Sequence, residues 1–256
     1  MDILHYIEVH SVDHCTLSCN YCSHDAENAD VKSYSPEDYD RWLDKFSEKE
    51  ILFDNISIAG GEPLINKKLP DLISMCKKYT NDIVSTMTNG WWLSSNESVK
   101  KQADRLTELD ALSVTVYRPY VEKFGGLDAV QDRLEYLQEL LPELNIIRWG
   151  QRIVRDFGKI EFTDEKRDTV PDFYCAFMGC KQLLHTGLLL GCCASRRVIS
   201  MPAVDKFSIQ NDFDRDEFIS WYYKYPLNLC NYCSIATEGA TYVPWTQKTK
   251  DDTVSF

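Results

Sequence analysis

Cys15-Thr16-Leu17-Ser18-Cys19-Asn20-Tyr21-Cys22 is the stretch of sequence that decides the fold. It places three cysteines at the spacing C-x3-C-x2-C, shortly after an apolar run at residues 3–9 that predicts a first β-strand. Three thiolates on one short loop can hold three irons of a cubane iron–sulfur cluster and leave the fourth iron open to a small molecule. The stretch therefore predicts a metal-binding loop at the end of a strand.

A second motif, Gly60-Gly61-Glu62-Pro63, follows another apolar run at residues 56–59. Two adjacent glycines let the backbone approach a ligand closely, and the Glu62 carboxylate can accept a hydrogen bond from an ammonium group. Alone, the motif is also typical of a simple turn. Its order and distance after the cysteines indicate a ligand site beside the cysteine loop.

The two motifs together resemble the radical S-adenosylmethionine (SAM) superfamily. The residues that carry the resemblance are Cys15, Cys19, Cys22, the aromatic Tyr21 before the third cysteine, and Gly60, Gly61, Glu62 and Pro63. The resemblance implies that the cysteines bind a [4Fe–4S] cluster and that the glycine-rich motif binds the amino group of SAM. It also implies an activity, in which an electron from the cluster cleaves SAM to a 5′-deoxyadenosyl radical that abstracts hydrogen from a substrate.

Zinc is the alternative for this loop, with His14 or His24 as the fourth ligand. A structural zinc site usually combines one C-x2-C pair with a second such pair, whereas these three cysteines stand alone. The order of the two motifs therefore favours iron over zinc.

Length, charge and cysteine content narrow the functional class. The 256 residues, 44% of them hydrophobic, suffice for one sizeable domain and a smaller one. The net charge of −12 argues against a nucleic-acid partner, since phosphate binding depends on excess lysine and arginine. No apolar run reaches membrane-spanning length, and the N-terminus lacks a secretory signal, so we expect a cytoplasmic protein with no membrane partner. In the cytoplasm, ten cysteines indicate metal or redox chemistry rather than disulfides.

Residues 1–160 alternate between strand-like and helix-like segments, which is typical of a parallel sheet covered by crossover helices. Strands are predicted at residues 3–9, 56–59, 83–88, 111–117 and 145–149, and the helical spacing of apolar residues predicts helices near 36–46, 69–76, 99–106 and 127–141. The helix at 69–76 contains Cys76, which we interpret as core. The predicted fold is α/β, a partial (β/α) barrel of five or six parallel strands.

Polar residues near strand ends are the candidates for ligand contacts, because such ends carry the functional groups of parallel barrels. In the fourth strand, alternation places Ser113 and Thr115 toward the barrel interior, and either is a candidate contact to the ribose of SAM. Arg148, Arg152 and Arg155 follow the fifth strand. Their planar forks suit a carboxylate or phosphate, so Arg152 is predicted to contact the substrate. Surface salt bridging is the alternative.

A second cysteine set follows a polar stretch at residues 163–169, which divides the predicted domains into 1–160 and 161–256. Cys175, Gly187 and Cys192 form C-x11-G-x4-C, and Cys230 and Cys233 add a C-x2-C pair. This layout resembles the Twitch domain, the short form of the SPASM domain of radical SAM enzymes. The resemblance implies a second [4Fe–4S] cluster held by the four cysteines. Four cysteines also suit tetrahedral zinc, which is the alternative.

The predicted function is a radical SAM oxidoreductase that oxidises a secondary alcohol of a sugar or aminocyclitol. Size and cysteine layout resemble Twitch-type aminocyclitol dehydrogenases of the kind that acts on deoxy-scyllo-inosamine. The cofactors are SAM and two [4Fe–4S] clusters, the reductant is a flavodoxin or ferredoxin, and the substrate is a small polar molecule with a possible negative charge.

Three alternatives stay open. An epimerase would use a thiol, Cys193 or Cys180, as the hydrogen donor, and Cys193 is the candidate catalytic thiol because it adjoins Cys192. Peptide modification is disfavoured because the first strand begins at residue 3, which leaves no room for a leader-binding domain. A non-catalytic iron–sulfur or zinc module would not need the Gly-Gly-Glu-Pro motif.

Overall fold

An eight-stranded sheet is the centre of the fold in the computed structural model, which describes residues 1–148, 157–158, 161–167, 175, 179–234 and 242–243. The strands are β1 (Asp2–Val12), β2 (Ile51–Gly60), β3 (Thr80–Thr88), β4 (Ala111–Val114), β5 (Asn145–Arg148), β6 (Phe157–Gly158), β7 (Gln182–Leu183), β8 (Leu188–Leu190), β9 (Lys206–Ser208) and β10 (Tyr242–Val243). Strands β6 and β10 form a separate antiparallel pair.

The large sheet has the strand order β5-β4-β3-β2-β1-β7-β8-β9. Strands β1 to β5 are parallel to their neighbours, and β7 adds a sixth parallel strand beside β1. The predicted α/β fold with a partial barrel of parallel strands is confirmed. Beyond residue 160, β8 and β9 continue the same sheet in antiparallel pairing, because a short hairpin joins β7 to β8.

Helices cover the sheet. They are α1 (Asp40–Glu48), α2 (Leu69–Cys76), α3 (Asn96–Ala103), α4 (Arg118–Lys123), α5 (Leu127–Leu140) and α6 (Arg215–Tyr222). The helical spacing of apolar residues predicts α1, α2, α3 and α5. It does not predict α6, nor α4, a six-residue helix in which Val121 alone is buried and which therefore lacks an apolar stripe. Strand β4 is shorter than predicted, because the chain leaves the sheet after Val114 and turns into α4.

The apolar core crosses the predicted division at residue 160. Phe46 of α1 packs edge-on against Phe213 at 5.6 Å between ring centroids and lies 4.9 Å from the ring of Phe218 in α6. Cys76 is fully buried in the same cluster, as expected for a core residue. The division into residues 1–160 and 161–256 stays a prediction. Among the described helices, none combines the length and apolar character that a membrane crossing needs.

Candidate active site

The loop after β1 carries Cys15, Cys19 and Cys22, which we call the N-terminal cysteine set. An antiparallel bridge between Val12 and Ser33 closes this loop. Within it, Tyr21 has a φ of 60°, in the left-handed region that costs a residue with a Cβ about 1–2 kcal/mol. Strain of this kind persists only where the surrounding structure imposes it, and it is frequent at functional sites. The loop conformation is therefore imposed by its contacts rather than by local preference.

Of the thiols in the N-terminal set, Cys19 is buried and Cys15 and Cys22 are half-buried. Burial and the charges of Glu62 and Cys22 raise the pKa of Cys15 to about 12, and burial also raises the pKa of Cys22. Asn89 lies across the loop, with Nδ2 3.4 Å from Cys15 Sγ. Such thiols ionise when a cation coordinates them, because the cation removes the cost of a buried negative charge. The set fits a cluster that binds through thiolates.

The two glycines of the second motif lie against this loop. A Cβ on Gly60 would come 2.0 Å from the carbonyl oxygen of Val12, and a Cβ on Gly61 would come 1.9 Å from the carbonyl oxygen of His14. The backbone N–H of Gly61 donates to Val12 O at 3.0 Å, and that of Glu62 donates to His14 O at 3.1 Å. The adjacent glycines predict the close approach of a ligand, whereas in the structure the chain leading into the cysteine loop makes that approach.

Glu62 is fully buried beside the N-terminal set. Its Oε1 accepts from the hydroxyl of Thr88 at 2.8 Å and from the N–H of Leu64 at 3.2 Å, and its Oε2 accepts from the N–H of Asn89 at 2.8 Å. Burial raises the pKa of Glu62 to about 7, although these three hydrogen bonds oppose the shift. A buried carboxylate in this state gains from a cationic ligand, which is the property that an ammonium-binding group needs.

The remaining predicted SAM contacts lie in or near the same region. Pro63 is buried and accepts a hydrogen bond on its carbonyl from Ser11 at 3.3 Å. Ser113 and Thr115 are half-buried, whereas the flanking Leu112 and Val114 are in the core, as the alternation predicts. Ser113 shares a cross-strand row with Met87 of β3 and Ile147 of β5.

Sequence reasoning missed a buried charged network on β1. Glu8 Oε1 lies 3.2 Å from His10 Nε2, 2.9 Å from His24 Nε2 and 2.7 Å from Gln182 Nε2. Burial opposes the ionisation of Glu8, but the charge and hydrogen bonds of His24 and His10 hold its pKa well below its usual range. His24, one of the two candidate zinc ligands, is therefore bonded to a carboxylate.

Two arginines extend this network from the C-terminal half of the chain. Arg196 and Arg197 lie in a 3-10 helix, Cys193–Val198, that follows Cys192. Arg196 pairs with Asp13 at 2.5 Å, and Arg197 donates to the carbonyl oxygen of Cys22 at 2.9 Å. Burial opposes the ionisation of Asp13, but hydrogen bonds from His10 and Tyr34 and the charge of Arg196 lower its pKa to about 2. The segment after Cys192 thus holds the N-terminal cysteine loop in place.

Cys175, Cys192, Cys230 and Cys233 come together in the structure, and we call them the C-terminal cysteine set. Three of them, Cys175, Cys192 and Cys233, pack together with Phe162 against Ala194. Burial raises the pKa of Cys230 to about 11, and the charges of the other three thiols act in the same direction. Four converging thiols fit the complete coordination of one iron–sulfur cluster.

Gly187 is the glycine of the C-x11-G-x4-C pattern, between Cys175 and Cys192. In the structure it lies in the turn that joins β7 to β8. Its φ is 78°, and a Cβ there would meet the indole ring of Trp42 at 3.0 Å. Trp42 Nε1 also donates to the carbonyl oxygen of His185 at 2.9 Å. The glycine is required by the turn and by the packing of α1 against the hairpin.

The thiol of Cys193 is buried between two other cysteines. Hydrogen bonds with Cys180 and Cys192, together with burial, raise its pKa well above its usual value. The hydrogen bond from Cys193 lowers the pKa of Cys192. Cys193 therefore stays protonated while Cys192 is the better thiolate, which suits Cys192 as the metal ligand of the pair.

The predicted arginines of the fifth strand are only in part described. Arg148 ends β5 beside Val114 of β4. Arg152 and Arg155 lie outside the described residues, so their assignment as substrate contacts stays a prediction.

The sequence profile of the Radical SAM superfamily matches residues 9–148. GTP 3′,8-cyclases are similar over part of their length: the enzyme of Syntrophomonas wolfei is 26% identical over 168 residues, covering 63% of this chain and 50% of that protein. The enzyme of Heliobacterium modesticaldum is 30% identical over 172 residues, covering 61% of this chain and 51% of that protein. The chain thus spans about half the length of these relatives.

Among solved structures, BtrN in complex with AdoMet and 2-DOIA has the same fold. The TM-score is 0.56 at 18% sequence identity, and the match covers 94% of this chain and 99% of BtrN. The profile spans more than half of the chain and includes the N-terminal cysteine set and the Gly-Gly-Glu-Pro motif, so the chain belongs to the radical SAM superfamily and is an enzyme that uses SAM and an iron–sulfur cluster.

Proposed function

We propose that this enzyme oxidises a secondary alcohol of a small polar molecule, such as a sugar or aminocyclitol, with a second [4Fe–4S] cluster as the electron acceptor. The observation that carries the proposal is the convergence of the C-terminal cysteine set, since four thiols leave a cluster no iron for substrate. The C-terminal region would be a Twitch domain. The fold shared with BtrN, whose structure contains 2-DOIA beside AdoMet, supports the same substrate class.

The chain's own residues have distinct tasks in this proposal. The N-terminal set would hold the cluster that supplies, when bound, the electron for cleavage of SAM. Glu62 would bind the SAM ammonium, with Gly60, Gly61 and Pro63 shaping the turn, and Ser113 or Thr115 would contact the ribose. The buried surroundings of Glu62 strengthen the ion pair and keep water away from a radical.

The electron count of the reaction requires an acceptor. Oxidation of a secondary alcohol to a carbonyl compound removes one hydrogen atom from the carbon, which is the chemistry that SAM would supply when bound, and then the hydroxyl proton and one electron. A cluster in the C-terminal set would take that electron. The external reductant would be a flavodoxin or ferredoxin, and Arg152 is the candidate contact to a substrate with negative charge.

The test combines product analysis with solvent deuterium. Anaerobically reconstituted enzyme is incubated with SAM, a reductant and a panel of sugars and aminocyclitols in deuterated water. An oxidised product, with turnover retained in Cys180→Ala and Cys193→Ala, supports the proposal. An isomer that carries one deuterium at an inverted carbon, with one of these variants stalled after 5′-deoxyadenosine forms, would replace oxidation by epimerisation.

Nucleotide cyclisation is the second candidate, because the GTP 3′,8-cyclases are the curated relatives that the chain matches. The match spans about half of those proteins, and their activity is therefore a hypothesis for this chain. GTP is included in the substrate panel. Formation of a cyclised nucleotide, with no carbonyl product from the polyols, would favour this candidate.

A further inference from the structure

A buried lysine lies beside the C-terminal cysteine set. Lys181 immediately precedes β7, and its side chain is 2% exposed. Its Nζ donates to the carbonyl oxygen of Gly191 at 3.0 Å, and Gly191 is the residue before Cys192. The rings of Trp221 and Tyr222 flank the ammonium at 5.5 and 5.8 Å from their centroids. The positive charge thus lies in an aromatic pocket next to a cysteine of the set.

The charge of Lys181 is poorly compensated by carboxylates. Burial lowers its pKa, and the groups that oppose this are Cys192, Asp205, Cys230 and Cys180, in that order. Both carboxylate oxygens of Asp205 have other partners: Oδ1 pairs with Lys224 at 2.6 Å, and Oδ2 accepts from the N–H of Asn228 at 2.6 Å. A buried ammonium is strongly disfavoured unless an anion lies nearby. Within the described part of the chain, Cys192 and Cys230 act on Lys181 in the same direction as Asp205, and they would be anionic as thiolates of a bound cluster.

We propose that Lys181 is the counter-charge of a cluster bound by the C-terminal cysteine set, and that its ammonium favours the reduced form of that cluster. The inference rests on the proposed function in requiring a cluster at this site. One-electron reduction adds one negative charge to the cluster, and a buried positive charge stabilises the more negative state, because the surrounding medium screens weakly. Net charge and hydrogen bonding around the cysteines are general determinants of cluster potential.

In the oxidation, the substrate loses one electron and one proton after hydrogen abstraction, and the cluster gains that electron. Lys181 neither gains nor loses a proton in this step. It is a positioning residue that makes the cluster a better acceptor for the substrate's electron, and it does not touch the substrate.

The test measures the reduction of the C-terminal cluster in isolation. Cys15, Cys19 and Cys22 are replaced by Ala in the full-length chain, so that one cluster remains, and its redox titration is followed by electron paramagnetic resonance. In this background, Lys181→Met removes the charge and keeps a long apolar side chain, whereas Lys181→Arg keeps the charge. Lys206→Met is the control, because Lys206 lies exposed on β9 and donates to the carbonyl oxygen of Ile199.

The expected result for Lys181→Met is at least a tenfold lower ratio of reduced to oxidised cluster at a given potential, equivalent to a midpoint about 59 mV lower. Lys181→Arg and Lys206→Met should stay within about threefold of the parent. A midpoint unchanged in Lys181→Met would overturn the inference and leave the second cluster intact. If that variant loses its iron, Lys181→Gln replaces it, and an equal midpoint in the Gln and Arg variants overturns the inference.

The same titration separates the two proposals. A parent background with Lys181 present and no iron in the C-terminal set would overturn the two-cluster function, and the inference with it. Four irons per chain in that background together with a lysine-independent midpoint would overturn the inference alone.

Discussion

Replacement of Glu62 by Gln should weaken SAM binding in a way that depends on pH. The carboxylate is fully buried and has a pKa of about 7, so it is mostly ionised at pH 8 and mostly protonated at pH 6. A hydrogen bond between charged groups contributes about 1.5–3 kcal/mol, which corresponds to roughly 10- to 150-fold in affinity. We therefore expect the full loss in Glu62→Gln at pH 8.

The direction of the pH dependence follows from the protonation state of Glu62, because the ionised carboxylate is the state that binds the SAM ammonium. About nine tenths of Glu62 is ionised at pH 8 and about one tenth at pH 6. The ratio of wild-type to variant SAM affinity should therefore fall about tenfold from pH 8 to pH 6. The SAM amine and the cluster titrate alike in both proteins. The pH dependence of the ratio of their two SAM affinities therefore reports the ionisation of Glu62.

The assay is anaerobic equilibrium binding of SAM to both reconstituted proteins at pH 6, 7 and 8, with iron content as the control for cluster assembly. Asn89 and Leu64 donate backbone N–H groups to Glu62, and an amide nitrogen there would face a donor, which lowers stability by about 1–3 kcal/mol. The amide of the variant does not itself titrate, so it adds no pH dependence to SAM binding in the variant. An affinity ratio that is constant from pH 6 to pH 8 would refute the assignment of Glu62 as the ammonium-binding carboxylate.

Three further predictions concern the cysteine sets and their supports. Replacing all three cysteines of the N-terminal set by Ala should lower iron from roughly eight to roughly four per chain and abolish SAM cleavage, whereas zinc in place of iron after anaerobic reconstitution would contradict the two-cluster assignment. Gly61→Ala should prevent assembly at that set, because the new Cβ would lie 1.9 Å from the carbonyl oxygen of His14. Gly126→Ala strains a backbone with a φ of 100° but brings no atom within 4 Å of the new Cβ, so it should lower stability and still retain full iron content. Arg197→Gln should lower the free energy of unfolding by about 1.5–3 kcal/mol in denaturant titrations, since the hydrogen bond to the carbonyl of Cys22 is charge-assisted, and a wild-type midpoint would show that this contact is dispensable.

The sequence alone determined the family, most of the strand and helix pattern of the first 148 residues, and the spacing of the cysteines in both sets. These features are local: C-x3-C-x2-C and Gly-Gly-Glu-Pro are short spacings, and α1 and α2 follow directly from apolar residues at helical intervals. Their signal survives in a single sequence because each depends on residues that are neighbours along the chain. The helix α4 was not predicted, because it has no apolar stripe and so no local pattern that indicates a helix.

Tertiary structure alone decided how those parts act on one another. Burial raises the pKa of Glu62, and hydrogen bonds from Thr88 and Asn89 at another strand end oppose that rise. Arg197 contacts Cys22 although the two residues lie 175 positions apart along the chain. The sequence likewise gave Lys181 no motif, because its significance lies in burial next to Cys192. Burial and charge compensation are sums over residues that are distant in sequence, so local spacing does not encode them. The pairing of β7 with β1 brings the C-terminal half of the chain against the strand that carries the N-terminal cysteine loop.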